Sequence, residues 1–220
     1  MSTPRPDLRR LLGQPAYRRL WLARTVSQVG DVAQFTTLAL LLVTVTGSGL
    51  GVSGAVLAEI IPVLLLAPLA GALVDRLPRV QVMVIADLVR VLLAGVLVFV
   101  HDSAPVAYAV AFGLACGQVF FSPAAQSLLP SVVDDDELVA ANSGIWTAAV
   151  TAQILVAPVA ALLAVHVGFG VAFAVNAASF AISAVVLRGL REPERTAPVQ
   201  VSSPSRTPGR ASRPWPGCRC

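Results

Sequence analysis

Residues 71–80 read GALVDRLPRV, with Gly71, Asp75, Arg76, Pro78 and Arg79 set between two long apolar runs. An acid and two bases in so short a break imply a polar turn joining two segments that are otherwise at home in lipid. The rest of the 220-residue chain agrees: it is 56% hydrophobic and 13% charged, with a mean hydropathy of +0.77, whereas a soluble domain is about one quarter charged. All sixteen basic residues are Arg, so the formal net charge of +4 matters less than where those side chains stand.

A bilayer core takes roughly 20 apolar residues per helix. On that measure the sequence predicts six spans, at 20–45, 51–74, 80–100, 104–122, 138–164 and 168–188. The breaks carry turn chemistry: TGSGLG at 46–51, DRLPR at 75–79, HDSAP at 101–105, a longer loop at 122–137 and VGFG at 167–170. The expected fold is therefore all-α and polytopic, organised as a basic N-terminus at 1–19, a six-helix domain at 20–190 and a disordered Pro/Ser/Arg-rich tail at 191–220.

Arg5, Arg9, Arg10, Arg18 and Arg19 precede the first span, Arg76 and Arg79 follow the second, and Arg188, Arg191 and Arg195 follow the sixth. The alternate breaks have no Arg, so the positive-inside rule predicts both termini in the cytoplasm. Asp134, Asp135, Asp136 and Glu137 lie on the same side but count little in that rule. Standing where the fifth span begins, they are read as helix-capping carboxylates.

The placement of Gly71, Asp75, Arg76 and Arg79 between the second and third of six spans resembles the signature loop of the major facilitator superfamily, G-x-x-x-D-R-x-G-R. Further matches are AYRRLWLARTVSQVGD at 16–31, TGSGLGVSG at 46–54, ADLVRVLLAG at 86–95 and SPAAQSLLPSVVDDDELVAANS at 122–143. Together they resemble the macrolide-efflux and enterobactin-exporter-like branch over roughly residues 8–192. Pro78 replaces the second Gly of the loop, and Val80 stands where a further base is common. The resemblance implies half of a twelve-helix fold, two inverted three-helix repeats, and proton-coupled efflux of amphipathic small molecules across the cell membrane. It also implies that the loop gates by latching two halves. The alternatives are a truncated or frame-shifted fragment that transports nothing, and a half-size subunit acting as a homodimer.

Polar residues inside spans cost about 2.5–3.5 kcal/mol each when charged, which makes each a candidate for function. Arg24, Ser27, Gln28, Asp31 and Gln34 recur at helical spacing, and Asp31 falls about 16 Å along the first span, near mid-membrane. Gln28, Asp31 and Gln34 are thus expected to line a cavity, with Asp31 binding a proton or a cationic group, or else hydrogen-bonding a neighbouring helix. Glu59, without a local base, is a second proton-coupling candidate. Asp87 and Arg90, three residues apart, are expected to form an intramembrane pair of mainly structural role, and Gln118, Gln153 and Asn176 to serve packing. Cys116, Cys218 and Cys220 and the isolated His101 and His166 have no metal-ligand spacing. No nucleophile elbow or phosphate loop is present, so no enzyme activity, no cofactor and no nucleic-acid partner are expected. The expected partners are lipid, a small molecule, a proton, and a second copy or a C-terminal half.

Overall fold

The computed structural model describes residues 8–190. The tail expected to be disordered, with Arg191 and Arg195, lies outside the described residues, as does Arg5. A short helix, α1 (Leu8–Gly13), leads into six long ones: α2 (Pro15–Thr46), α3 (Leu50–Val74), α4 (Arg79–Phe99), α5 (Ala104–Leu128), α6 (Leu138–His166) and α7 (Phe169–Arg188). All six of α2–α7 are long and apolar enough to cross a membrane. Their 20 to 32 residues correspond to lengths of about 30 to 48 Å.

The helix boundaries have local causes. Pro15 opens α2 at a position whose N–H has no helical acceptor to find, and Gly47 ends it in a left-handed turn at φ 65° that a side chain would resist. Pro78 precedes α4 in an extended conformation, which separates it from α3 at the DRLPR turn. Pro62, Pro68 and Pro158 all lie within helices.

Two boundaries differ from the expected ones by more than two residues. α2 starts five residues before 20, carrying Tyr17 and Arg18 as helix rather than leader. α5 runs six residues beyond 122 and continues into a 3-10 turn at Leu129–Ser131. Pro123 looks like a stop in the sequence, yet Ala124, Ala125 and Leu128 beyond it are fully buried, and their packing holds the helix past the proline.

Packing follows an exchange symmetry. α2 packs on α6 and α7, α5 packs on α3 and α4, and α4 packs on α7. Swapping α2 with α5, α3 with α6 and α4 with α7 maps this pattern onto itself, as two three-helix repeats related by a pseudo-two-fold axis require. α3 and α6 are the least covered helices, with leucines such as Leu64 and Leu65 exposed.

The interior has three layers. One apolar cluster, including Tyr17, Leu20, Met83, Phe121, Leu128 and Leu187, fills the end of the bundle where the chain enters. A second, including Leu38, Leu42, Leu97, Ala107, Leu114 and Phe173, fills the opposite end. Between them along the same helices lie Ser27, Gln34, Asp87, Arg90 and Asn176, all buried. Close approach in this layer depends on missing side chains: a Cβ on Gly30 would stand 2.8 Å from Asn176 Oδ1, and one on Gly117 would stand 2.8 Å from Arg90 Cγ.

Candidate functional site

Arg90 is the hub of the middle layer and is 1% exposed. From α4 its guanidinium donates to Asp31 and Ser27 of α2, to Asp87 one turn back on its own helix, and to Gln118 of α5. The Ser27 and Gln118 contacts are 2.9 Å and the Asp87 contact is 3.3 Å. Phe180 of α7 lies under the guanidinium, 4.2 Å from ring centroid to Cζ, and adds a cation–π contact. A charge this deep survives only when paired and hydrogen-bonded. Arg90 meets that requirement through four helices, and Gly117 leaves the room for its stem.

The polar face expected along α2 divides. Ser27 turns inward, donating to Asp87 at 3.3 Å, and Gln34, buried, accepts from Asn176 of α7 while still bordering the first pocket. Arg24, Gln28 and Asp31 turn toward two adjoining pockets that share Gln28. The first, about 170 Å³, is lined by Gln28, Asp31, Gln34, Glu59 and Gln118, with Phe35, Val63, Leu114 and Phe180 as its apolar part. Residues from α2, α3, α5 and α7 thus converge on one concave wall. Asp31 is the acid in the Arg90 cluster that reaches this wall, at 25% exposure, whereas Asp87 is wholly buried. Glu59 has no ion-pair partner among the described residues, and Gln34 Nε2 has no hydrogen-bond acceptor there.

Three features of the wall escape a reading along the chain. Gln118, Ser122 and Gln126 recur every four residues on α5 and carry the polar surface away from the middle layer, with Gln126 donating to Ser122 at 3.2 Å. Trp146 of α6, 65% exposed, lines the second pocket. Phe180 and Gly117 shape the Arg90 cluster from α7 and α5. Of these, only the i, i+4 spacing on α5 leaves a signal in the sequence.

The signature-loop residues lie elsewhere, at the end of the bundle where the chain enters. Asp75 is the C-cap of α3, its N–H bonded to Gly71 O at 3.1 Å. Its carboxylate and the Arg76 side chain are exposed, and Asp75 forms no ion pair among the described residues. Nothing lies within 4 Å of where a Gly71 Cβ would be.

The acidic run before α6 departs from the capping expectation. Glu137 occupies the N-cap position without a capping hydrogen bond; its carboxylate instead accepts from Gln14 at 2.9 Å and faces Arg10 at 3.6 Å. Tyr17 and Trp21 donate to Ala141 O and Gly144 O in the same seam, and Arg19 donates to Gly189 O. Glu137 is therefore a tether between α6 and the chain entry, while Asp134, Asp135 and Asp136 stay exposed. His101 lies 3.9 Å from Asp102 at the opposite end, and no group of three metal-ligating residues occurs among the described residues.

Six membrane-length helices in two exchanged repeats, with a polar layer opening on one concave wall, define a polytopic membrane protein of transporter architecture. Residues 20–216 match the Major Facilitator Superfamily, and the chain belongs to that superfamily of membrane transporters. No curated protein matches the chain.

Proposed function

We propose that this chain forms the N-terminal half of a proton-coupled exporter of amphipathic small molecules in the cell membrane, with both termini cytoplasmic. The observation that carries the reading is the concave wall at mid-bundle, where Gln28, Asp31, Gln34, Glu59 and Gln118 meet between two apolar clusters. Intramembrane ionisable groups that open on a cavity mark substrate or proton pathways. Asp31 is the exchangeable acid of the Arg90 cluster: its protonation frees one face of the guanidinium while Asp87 continues to neutralise it. Glu59, across the same pocket and without a basic partner among the described residues, is the second proton carrier. The outward direction and the drug or siderophore type of substrate rest on the resemblance of the sequence motifs.

At about 170 Å³ the pocket is smaller than the roughly 300–1,000 Å³ of a drug-sized site, as befits one wall of a cavity whose other wall comes from a second six-helix unit. Exposed Asp75 and Arg76, with open space over Gly71, suit a latch that closes on that unit. The unit is a C-terminal half or, in the second reading, another copy of this chain. A specific crosslinked dimer in membranes favours the second copy.

The functional test is efflux of a fluorescent amphipathic dye, under an imposed pH gradient, from proteoliposomes that hold the crosslinkable dimer or the chain together with its C-terminal half, for the wild type and for Glu59→Gln and Asp31→Asn. The reading expects gradient-driven efflux that both substitutions uncouple from pH. Unchanged rate and pH dependence in both would remove these acids from the mechanism.

A further inference from the structure

The second pocket raises a separate question, because it holds a base and no acid. Arg24 of α2 lines it together with Thr25, Gln28, Trp146 and Gln153. Among the described residues the Arg24 guanidinium has no ion pair and no hydrogen bond. Asp31 and Asp87, the acids of the buried polar layer, are both committed to Arg90. An arginine inside a span normally finds a carboxylate, backbone carbonyls or water at the headgroup level. Here its neighbours are two side-chain amides, which donate to oxygen, and an exposed indole.

Resting on the transport reading above, we infer that this α2–α6 pocket is a subsite for the anionic oxygen group of an amphipathic aromatic ligand. Arg24 presents a planar fork that matches a carboxylate or phosphate with two parallel hydrogen bonds. Gln28 and Gln153 supply further donors from α2 and α6. Trp146 offers an apolar face beside them for the ligand's ring. Gln28 borders both pockets, so a ligand anchored by its anion at Arg24 extends toward Asp31 and Glu59. The anion thereby takes a position the wall's own acids do not fill, and the apolar body lies where proton exchange occurs. A carboxylate of a small substrate and the phosphate of a lipid headgroup share this chemistry.

The test is calorimetric titration of the full chain in dodecyl maltoside with 2-naphthoate, its methyl ester and 2-naphthylmethylammonium. The wild type should bind naphthoate about tenfold more tightly than the ester, a difference one charge-assisted contact supports. Arg24→Gln should erase that preference and Arg24→Lys retain part of it. Gln153→Glu places a carboxylate beside Arg24, so it should also abolish the preference while keeping the arginine paired and the fold intact; it keeps the test decisive if Arg24→Gln fails to fold. Displacement of naphthoate by added phosphatidylglycerol identifies a lipid source for the anion, and its persistence identifies the small molecule. Equal binding of naphthoate and ester by the wild type, or a preference that survives both Arg24→Gln and Gln153→Glu, overturns the anion subsite. In that case gradient-driven dye efflux leaves the transport reading standing; folded wild type that binds no probe and, with its second six-helix unit present, moves no dye overturns both.

Discussion

Arg90 of α4 and Asp31 of α2 are joined across the middle of the bundle, and the same guanidinium holds Asp87, Ser27 and Gln118. The pairing ties the cavity wall to the interior, because Asp31 touches both. Removing Arg90 strands two carboxylates, one of them fully buried. Arg90→Gln should therefore destabilise the protein by about 3–5 kcal/mol, the range for breaking a buried pair from one side. Asp31→Asn should cost much less, since Asp87 remains to neutralise Arg90. Thermal unfolding in detergent, with both variants purified in parallel, measures the difference.

Gly117 tests the space that Arg90 needs. A Cβ there would sit 2.8 Å from Arg90 Cγ and 2.9 Å from Cδ, whereas nothing lies within 4 Å at Gly95 of α4. Gly117→Ala should cost about 1–3 kcal/mol through overpacking. Gly95→Ala should be neutral or stabilise by up to about 1 kcal/mol through helix propensity. The same unfolding assay separates them.

Glu137 couples the chain entry to α6 through Gln14 and Arg10. Glu137→Ala should loosen α1 and the first turns of α2, so that the backbone at the already exposed Arg10 and Arg18 becomes cleavable by trypsin in the folded protein. Asp135→Ala, at an exposed position in the same acidic run, should leave the cleavage pattern unchanged. The time course of limited proteolysis followed by mass spectrometry reads both.

The six spans were legible because each is a run of apolar residues long enough to cross a bilayer, and the turns between them carry glycine, proline or charge. What escaped the sequence depends on packing between distant segments. Pro123 marks a break by local rules, but burial of Ala124, Ala125 and Leu128 carries α5 through it. Asp87 is visible as a neighbour of Arg90 at three residues' spacing, while Asp31, Ser27 and Gln118 become its partners only when α2 and α5 are packed against α4. Helical spacing placed Arg24, Ser27, Gln28, Asp31 and Gln34 on one broad face. It could not divide them, because the positions of α4 and α7 decide which point inward. Glu137 likewise stands where a capping acid belongs, and only the approach of Gln14 from 123 residues away draws its carboxylate elsewhere.

Transport by this fold requires that Gln28 and Glu59 border a water-accessible cavity while the outer surface of α3 faces lipid. The direct measurement is labelling by a membrane-impermeant maleimide in inside-out vesicles, with Cys116, Cys218 and Cys220 first replaced by Ser and single cysteines placed at Gln28, Glu59 and Leu64. Leu64, 72% exposed on α3, is the lipid-facing reference. Rapid labelling at 28 and 59, and none at 64 until detergent is added, is the expected result. Protection at 28 and 59 equal to that at 64 would contradict it, since the polar wall would then face no water and could serve no transport.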